Sequence, residues 1–427
     1  MSSGRRRLAE DLMTGEARID GRTLGDHGEL VEATREDLRN AGVRAGSVVT
    51  LTDPEAPELI VGLLAAWSLD AVPFVTPRRR NLPPGGTGLE RTALLMPTSG
   101  STGEPKVARR GVAGVRVEAE GYRDYLGLTP EDRVAVPVPV THSYGLGVTI
   151  SALLAGCDVV TTRPTGLPRV AALMDSGAVS VVALTAPIAR LLVQVKPAGD
   201  RTVRAALVGA GSVPDDLDTA FLARFRRPLD RGYGSTETGG TFLGARGIGR
   251  PIAGIGVRSP APGGRGELVL EFAVPVEGVL GQGPADVWHT GDVVERDIDG
   301  CCHYVGRIRP ALRVNGRYVD EDDVVPGLRA LSGVTDVHLI VVNREKTPEV
   351  QDFHAVVEAG ERLDERSVRA YLAGLRPGVP RPRITQCGRV PRNAVGKVDR
   401  DALIGLIRKE ESSTSASEAP GNASTAR

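Results

Sequence analysis

The chain has 427 residues, and at roughly 150 residues per domain this length predicts about three folding units. Its 53 basic and 53 acidic residues leave no net charge, which argues against attraction to nucleic acid or to an anionic membrane. The hydrophobic content of 41% and the charged content of 25% are ordinary for a globular protein, so we expect a soluble protein, and the charge balance alone indicates no polymeric partner.

Cysteine usage and the first residues favour a cytoplasmic protein. The four cysteines form no CxxC pair or other metal-ligand spacing, and they are too few for a disulfide framework. The first twenty residues are basic and then acidic, and no apolar stretch follows them as it would in a secretory signal. The best apolar run, Leu59 to Leu69, is too short to span a bilayer.

From residue 48 onward, short apolar runs alternate with segments of helical period. The strand candidate VVTL precedes the helix candidate PELIVGLLAAWSLDA, and the same alternation recurs between residues 157 and 211. This alternation predicts βαβ units around a largely parallel sheet. Between about Gly244 and Arg307 the helical period disappears and strand candidates such as GELVLEF remain, which predicts an antiparallel annex to the same domain.

A different pattern begins at Pro310, where the strand candidates HLIVVN and DFHAVVEA lie between polar helix candidates. The last residues, ESSTSASEAPGNASTAR, have no apolar periodicity. We therefore expect an α/β fold with a large N-terminal domain over residues 1–308 and a small mobile α+β domain over residues 310–410. Residues 411–427 are expected to form a disordered tail.

A loop rich in glycine and hydroxyl residues follows the strand candidate TALLM. Gly100 and Gly103 allow backbone N–H groups to turn toward one centre, and Lys106 adds a positive charge. The hydroxyl donors of the loop are Thr98, Ser99, Ser101 and Thr102. Such a loop can bind phosphate. It is not a Walker A loop, because Glu104 and Pro105 separate its second glycine from the lysine.

This loop resembles the phosphate loop of the adenylate-forming superfamily of acyl-CoA synthetases, peptide-synthetase adenylation domains and luciferases. Further matches follow in the family's order. They are YGSTE at 233–237, HTGD at 289–292, GR at 306–307 and PRNAVGKVDR at 391–400, with weaker matches at 141–146, 208–212 and 266–268. The resemblance implies an enzyme that joins a carboxylic acid to the α-phosphate of ATP and releases pyrophosphate.

The resemblance assigns the ATP site to these motif positions. Glu237 would be the Mg²⁺ ligand, for which a carboxylate oxygen is suited. Asp292 would accept hydrogen bonds from the ribose, and Arg307 would donate to the ribose or the α-phosphate. Tyr233 would line the adenine pocket together with Gly211. The other ATP-binding candidates are Gly234, Ser235, the loop residues Thr98, Ser99, Gly100, Ser101, Thr102 and Gly103, and Lys106.

Lys397 is the strongest candidate for a catalytic side chain, because a flexible ammonium group can reach both the carboxylate and the α-phosphate. Only five of the 53 basic residues are lysines, and two of these five fall at motif positions. The other catalytic candidates are Thr236, Glu237 and His142. By the same resemblance, Arg309 lies at the hinge position, and Gly316 matches a glycine that opens the passage for the pantetheine thiol.

Residues 141–146 indicate which class of acid the enzyme would activate. Members of the family that activate α-amino acids carry an aspartate where Ser143 stands here, so the ammonium group of an α-amino acid would lack a compensating charge. His142 and Tyr144 favour an aryl or short acyl acid, although a histidine packed against the backbone is an equal alternative for His142. The acyl-pocket candidates are His142, Ser143, Tyr144, Gly209 and Ala210.

Several alternatives stay open. Only 97 residues precede the phosphate loop, which indicates a shortened N-terminal subdomain. This shortening is compatible with a smaller pocket, with a homodimer partner that covers the exposed face, or with delivery of the acyl group to an acyl or peptidyl carrier protein. The acceptor is coenzyme A, carrier-protein phosphopantetheine or, in an amide-forming ligase, an amine. A nucleotide-binding switch without turnover is the remaining reading.

Overall fold

The computed structural model describes residues 3–52, 56–77, 88–98, 106–161, 166–211, 213–308, 312–314, 317–319, 321–344, 351–375, 379–393, 396 and 398–417. The chain divides into two compact units, Met1–Ile308 and Arg309–Arg427. The roles expected for these two units remain predictions.

The larger unit alternates strands and helices over most of its length. Its helices are α1 (Gly4–Thr14), α2 (Gly28–Asn40), α3 (Ala56–Ser68), α4 (Val112–Leu126), α5 (Ser143–Leu154), α6 (Leu167–Asp175), α7 (Ala186–Gln194) and α8 (Asp215–Phe225). Its first strands are β1 (Arg18–Ile19), β2 (Arg22–Thr23), β3 (Val48–Leu51), β4 (Val72–Val75), β5 (Thr92–Pro97), β6 (Val107–Gly111), β7 (Arg133–Val136), β8 (Asp158–Thr161) and β9 (Val181–Thr185). The later strands are β10 (Ala205–Gly209), β11 (Asp230–Ser235), β12 (Gly239–Gly244), β13 (Arg250–Pro251), β14 (Ile255–Ser259), β15 (Arg265–Val276), β16 (Ala285–Arg296) and β17 (Cys302–Arg307).

The main sheet has the strand order β13-β12-β11-β10-β9-β7-β8-β1-β2. From β11 to β1 its neighbouring strands are parallel. Every residue of β9 and of β10 is buried, as expected for parallel strands that are covered on both faces by helices. A second sheet has the order β3-β4-β5-β6, in which β5 and β6 pair antiparallel. The predicted α/β class is therefore confirmed.

An antiparallel sheet with the order β14-β15-β16-β17 follows the main sheet in sequence. The side chains of Leu268, Leu270 and Val294 are buried in this sheet's core, and they pack with Phe242 of the main sheet. This sheet is the annex that the sequence predicts for residues 244–307. Because its core includes Phe242, the annex is held at a fixed position beside β12.

The first helix, α1, is pinned to the larger unit by a buried arginine. Arg5 is 4% exposed. Its guanidinium donates to Asp70 Oδ1 at 2.7 Å and to the carbonyl oxygens of Leu89 at 2.7 Å and Thr92 at 2.8 Å. Leu8 is fully buried on the same helix. Sequence reasoning assigned these N-terminal residues no structural role, whereas here they are part of the core.

The smaller unit has its own core. Its strands are β18 (Leu312–Val314), β19 (Arg317–Val319), β20 (Val334–Asn343), β21 (Gln351–Ala359) and β22 (Arg383–Cys387), and its helices are α9 (Glu321–Arg329), α10 (Glu365–Gly374) and α11 (Arg400–Ser417). Strand β21 pairs antiparallel with β20 and parallel with β22. Helix α11 extends seven residues into the segment expected to be a disordered tail, and residues 418–427 lie outside the described part.

Among the helices that the structure describes, none combines the length and the apolarity that crossing a bilayer requires.

Candidate active site

Three residues predicted to bind the nucleotide meet where the main sheet adjoins the annex. Tyr233 lies in β11, Asp292 in β16 and Arg307 in β17. The Tyr233 hydroxyl donates to Asp292 Oδ2 at 2.6 Å, and Arg307 Nε lies 3.6 Å from Asp292 Oδ1. The β16–β17 register places Asp292 directly opposite Arg307. The Asp292 side chain is 14% exposed and that of Arg307 is 65% exposed, so the carboxylate is enclosed and the cation lies at the rim.

The segment of β16 that carries Asp292 is fixed by hydrogen bonds within the strand and to β15. The Thr290 hydroxyl accepts the Asp292 N–H at 3.0 Å and donates to a β15 carbonyl at 2.7 Å. Glu267 Oε1 accepts the N–H of Gly291 at 3.2 Å. Gly291 has a φ of +70°, in the left-handed region that favours glycine. The carboxylate is therefore held in place before any ligand arrives.

Tyr233 is fixed at both ends of its side chain. Its ring meets the Phe242 ring edge to face, with centroids 5.7 Å apart. Burial raises the pKa of Tyr233, and the adjacent Asp292 carboxylate raises it further. The hydroxyl therefore remains a donor at neutral pH.

The turn over residues 236–238 joins β11 to β12 and carries Thr236 and Glu237. It is closed by two reciprocal hydrogen bonds. The Thr238 N–H donates to Ser235 Oγ at 3.2 Å, and the Ser235 N–H donates to Thr238 Oγ1 at 3.3 Å. At Gly234 an added Cβ would lie 2.0 Å from a backbone oxygen, so this position of the motif requires glycine.

A buried ion pair lies beneath this turn. Arg110 of β6 donates to Glu118 Oε2 of α4 at 2.7 Å, and both side chains are 5% exposed. Glu118 Oε1 accepts the Gly240 N–H at 2.6 Å, which ties α4 to the strand that leaves the turn. The Arg110 guanidinium occupies the space over Gly239, where an added Cβ would lie 2.1 Å from it. Glu118, Arg110 and Glu237 line one cavity of about 30 Å³.

Sequence reasoning did not find this ion pair, although α4 carried a signal. The other buried residues of the helix include Val115, Ala119, Tyr122 and Leu126, which lie on one face at helical spacing. Glu118 interrupts this apolar face with a carboxylate. A charge in such a position requires a buried partner.

The predicted phosphate loop closes a β-hairpin. Pro97 of β5 pairs with Val107 of β6, and the Thr98 N–H donates to the Lys106 carbonyl oxygen at 2.8 Å. Thr98 is buried and Lys106 is exposed. The remaining loop candidates lie outside the described residues; they are Ser99, Gly100, Ser101, Thr102 and Gly103. The loop therefore joins two strands, unlike a Walker A loop, which leads from a strand into a helix.

The acyl-pocket candidates come from the start of α5 and the end of β10. The Tyr144 ring packs against Gly209, where an added Cβ would lie 2.5 Å from it, and its hydroxyl donates to the Leu207 carbonyl at 3.1 Å. Ala210 follows with a φ of +62°, an unfavourable conformation for a residue with a Cβ. His142 caps α5, which Ser143 begins, and the His142 carbonyl accepts the Leu146 N–H at 2.9 Å.

The remaining predicted site residues are Gly211, which the structure describes, and three that it does not. Gly211 follows Ala210, and an added Cβ there would meet nothing within 4 Å, so the space beside β10 is open at this position. Lys397, Arg309 and Gly316 lie outside the described residues, and their roles remain predictions.

Comparison with known proteins shows the family. The family described as AMP-binding enzyme matches residues 76–270. A sulfoacetate–CoA ligase from Cupriavidus necator is 30% identical over 409 residues, which cover 87% of this chain and 75% of that protein. A feruloyl-CoA synthase from Amycolatopsis sp. is 27% identical over 409 residues, which cover 87% of this chain and 81% of the relative.

The fold is also similar to that of a solved structure. The solved structure of o-succinylbenzoate CoA synthetase from Bacillus subtilis, in complex with the acyl-adenylate intermediate OSB-AMP, matches with a TM-score of 0.69. The sequences are 16% identical, and the match covers 94% of this chain and 98% of that chain. The chain therefore belongs to the adenylate-forming superfamily of AMP-binding enzymes, in which the two relatives named above are acid–CoA ligases.

Proposed function

We propose that the protein is an ATP-dependent carboxylic acid ligase that forms an acyl-adenylate and then transfers the acyl group to a thiol. The thiol belongs to coenzyme A or to the phosphopantetheine arm of an acyl or peptidyl carrier protein. The observation that carries the proposal is the contact among Tyr233, Asp292 and Arg307, because it brings together residues of three separate sequence motifs. It supports a preorganised site for the ribose and adenine of ATP.

In the first step a carboxylate oxygen of the acid attacks the α-phosphorus of ATP. An oxygen–phosphorus bond forms, the α–β phosphoanhydride bond breaks, and pyrophosphate leaves with the bonding electrons. Asp292 accepts hydrogen bonds from the ribose, Arg307 donates from the rim, and the Lys397 ammonium stabilises the charge that builds up between the reactants. The enzyme thus contributes positioning and electrostatics rather than covalent chemistry.

Residues Thr236 and Glu237 fit a Mg²⁺ ion. They supply a hydroxyl and a partly buried carboxylate from a turn with fixed geometry, and Mg²⁺ prefers such oxygen ligands. When bound there, Mg²⁺ would neutralise charge on the phosphates.

In the second step the thiolate attacks the acyl carbon, AMP leaves with the electrons of the carbon–oxygen bond, and the thioester remains.

The acid is proposed to be an aryl or short acyl acid. The contact of Tyr144 with Gly209 closes one side of the proposed pocket with a planar ring. None of the five proposed pocket residues carries a negative charge that could pair with an α-ammonium group. These two features support a compact, uncharged recognition surface.

The function is tested by acid-dependent exchange of pyrophosphate into ATP, with aryl, short-chain and medium-chain acids. Exchange with one class of acid, followed by product formation with coenzyme A or a pantetheinylated carrier, is the expected result. Product that depends on an added amine but not on a thiol would replace the proposal with an amide-forming ligase. Nucleotide binding without exchange for any acid would contradict a catalytic role.

Replacing Asp292 by asparagine is expected to raise the KM for ATP by about 10- to 100-fold, because hydrogen bonds to a charged acceptor contribute about 1.5–3 kcal/mol each. The measurement is the ATP dependence of pyrophosphate exchange. Tyr233→Phe is the control, since it keeps both the ring and the Asp292 charge and should change this KM far less. An unchanged KM in Asp292→Asn would contradict ribose binding at this carboxylate.

Replacing Tyr144 by alanine is expected to shift the preference toward bulkier acids. The ratio of kcat/KM for a bulky acid to that for the best small acid should rise by about 10-fold or more, because one misplaced methylene is already worth about 1–3 kcal/mol. Tyr144→Phe is the control, since it keeps the ring against Gly209 and loses only the hydrogen bond to Leu207. An unchanged ratio in Tyr144→Ala would mean that the acid does not bind beside the Tyr144 ring.

A further inference from the structure

The turn between β16 and β17 brings together three different metal-ligand side chains. Among the described residues, the ligand atoms of Asp297, Cys301 and His303 lie within 4.8 Å of one another. Asp297 Oδ2 and His303 Nε2 are 2.9 Å apart. Cys301 is 4% exposed, whereas the side chains of His303 and Asp297 are 39% and 40% exposed, so the thiol forms the base of the cluster and the other two form its rim.

The backbone of this turn is already fixed. The Asp297 N–H donates to the Cys301 carbonyl at 2.8 Å, and the Gly300 N–H donates to the Asp297 carbonyl at 3.0 Å. Gly300 has a φ of +88°, which allows the tight return of the chain. Cys301 and His303 are two residues apart as the chain enters β17, so their side chains share one face of the hairpin.

Arg246 and Gly247, which follow β12, lie beside the cluster. At Gly247 an added Cβ would lie 2.9 Å from His303 Nδ1, so the absence of a side chain there leaves room for the imidazole ring. The Cys301 thiol donates to the Arg246 carbonyl oxygen at 3.3 Å. The carboxylate oxygen, the thiol sulfur and the imidazole nitrogen therefore lie close together, and the Arg246 carbonyl oxygen lies beside the sulfur.

The charges around the cluster are compatible with a cation. Arg246 and Arg250 both pair with Asp299 at 3.0 Å, which compensates part of their positive charge. Metal binding at the thiol would form a metal–sulfur bond and release the thiol proton to solvent.

We propose that Asp297, Cys301 and His303 form a binding site for a zinc-class divalent cation. The mixed sulfur, nitrogen and oxygen donors favour Zn²⁺ or Co²⁺ over Mg²⁺ and Ca²⁺, which prefer oxygen alone. A cation here links the two strands that carry Asp292 and Arg307 at their connecting turn. The site is independent of the proposed function, because no substrate or nucleotide is needed to fill it.

The test uses the full-length protein, stripped with a chelator and titrated with Co²⁺. The expected result is one equivalent bound, with the near-ultraviolet charge-transfer band of a cobalt–thiolate bond. Cys301→Ser should lose this band, and His303→Gln should weaken binding while leaving every thiol in place. Zn²⁺ should compete with Co²⁺ and raise the Tm of the wild type but not of Cys301→Ser.

Two matched controls identify the thiol. Cys302→Ala removes the adjacent buried sulfur, and Cys387→Ser removes a sulfur of the smaller unit. Both variants should keep the band at full intensity. A wild type without the band at micromolar Co²⁺ would overturn the proposal, and so would a band that survives Cys301→Ser or disappears in either control.

Discussion

Lys397→Ala is expected to reduce acid-dependent pyrophosphate exchange by about 100- to 1,000-fold, the loss seen when one preorganised electrostatic contact to a transition state is removed. Nucleotide affinity should change little, because the ammonium group acts on charge that develops between the acid and the α-phosphate. The chain on both sides of this position is anchored. Arg392 forms a β-bridge with Val398, and the Gly396 N–H donates to the Asn393 carbonyl at 2.9 Å.

The control for this variant is Lys409→Ala, in α11 of the same unit, where the side chain is exposed. It removes the same charge and should leave exchange within about twofold of the wild type, as surface substitutions usually change little. Exchange and nucleotide affinity should be measured on all three proteins. Equal losses in both variants would assign the effect to net charge, and full exchange in Lys397→Ala would remove this lysine from the mechanism.

The parallel core of the fold could be predicted from the sequence because its signals are local. The runs VVALT and AALVG are continuous apolar strands, and the segment PIARLLVQV between them has helical period. They form β9, β10 and α7. Strands that are buried on both faces are nearly continuous apolar runs, so their positions in the sequence can be predicted without knowing which strands they pair with.

The N-terminal structure could not be predicted because it depends on distant partners. Strands β1 and β2 have two residues each, and β1 gains its place by pairing Arg18 with Asp158 of β8. Arg5 reads as a surface charge in sequence, yet its partners lie 65 to 87 residues away. No local periodicity records such contacts.

The candidate site likewise has a part that the sequence predicts and a part that it does not. The motifs predict nucleotide-binding roles for Tyr233, Asp292 and Arg307, and the structure brings these side chains together while the roles remain predictions. It does not describe the central loop residues or Lys397, so these stay predictions. The ion pair of Arg110 and Glu118 matches none of these motifs, although Glu118 contacts the strand that leaves the turn of residues 236–238.

Replacing Glu118 by alanine is expected to lower the free energy of unfolding by about 3–5 kcal/mol, since it leaves the Arg110 guanidinium buried without its partner. The same change removes the acceptor of the Gly240 N–H, which holds the strand leaving the turn that carries Glu237. We therefore expect the KM for Mg-ATP to rise by about 10-fold, because a small misplacement of a ligand is costly. Glu118→Gln should retain more affinity, since its amide oxygen can still accept that N–H.

Asp175→Ala is the matched control. Asp175 pairs with Arg224 through two contacts of 2.8 Å, its side chain is 1% exposed, and the bonds from Arg224 hold the pKa of Asp175 below its usual range. The variant should lose comparable stability, because the arginine left unpaired is likewise enclosed. Asp175 is the last residue of α6 and belongs to none of the site's sequence motifs, so the KM of this variant for Mg-ATP should stay at the wild-type value wherever the protein is folded.

Unfolding by denaturant and the Mg-ATP dependence of pyrophosphate exchange, measured on wild type and on the variants Glu118→Ala, Glu118→Gln and Asp175→Ala, separate the two effects. Equal stability losses with a KM change confined to the Glu118 variants would mean that the buried pair positions the turn of residues 236–238. A KM that rises equally in Asp175→Ala would reduce the pair to a general contribution to stability. An unchanged KM in Glu118→Ala would mean that the reciprocal bonds between Ser235 and Thr238 hold the turn without help from α4.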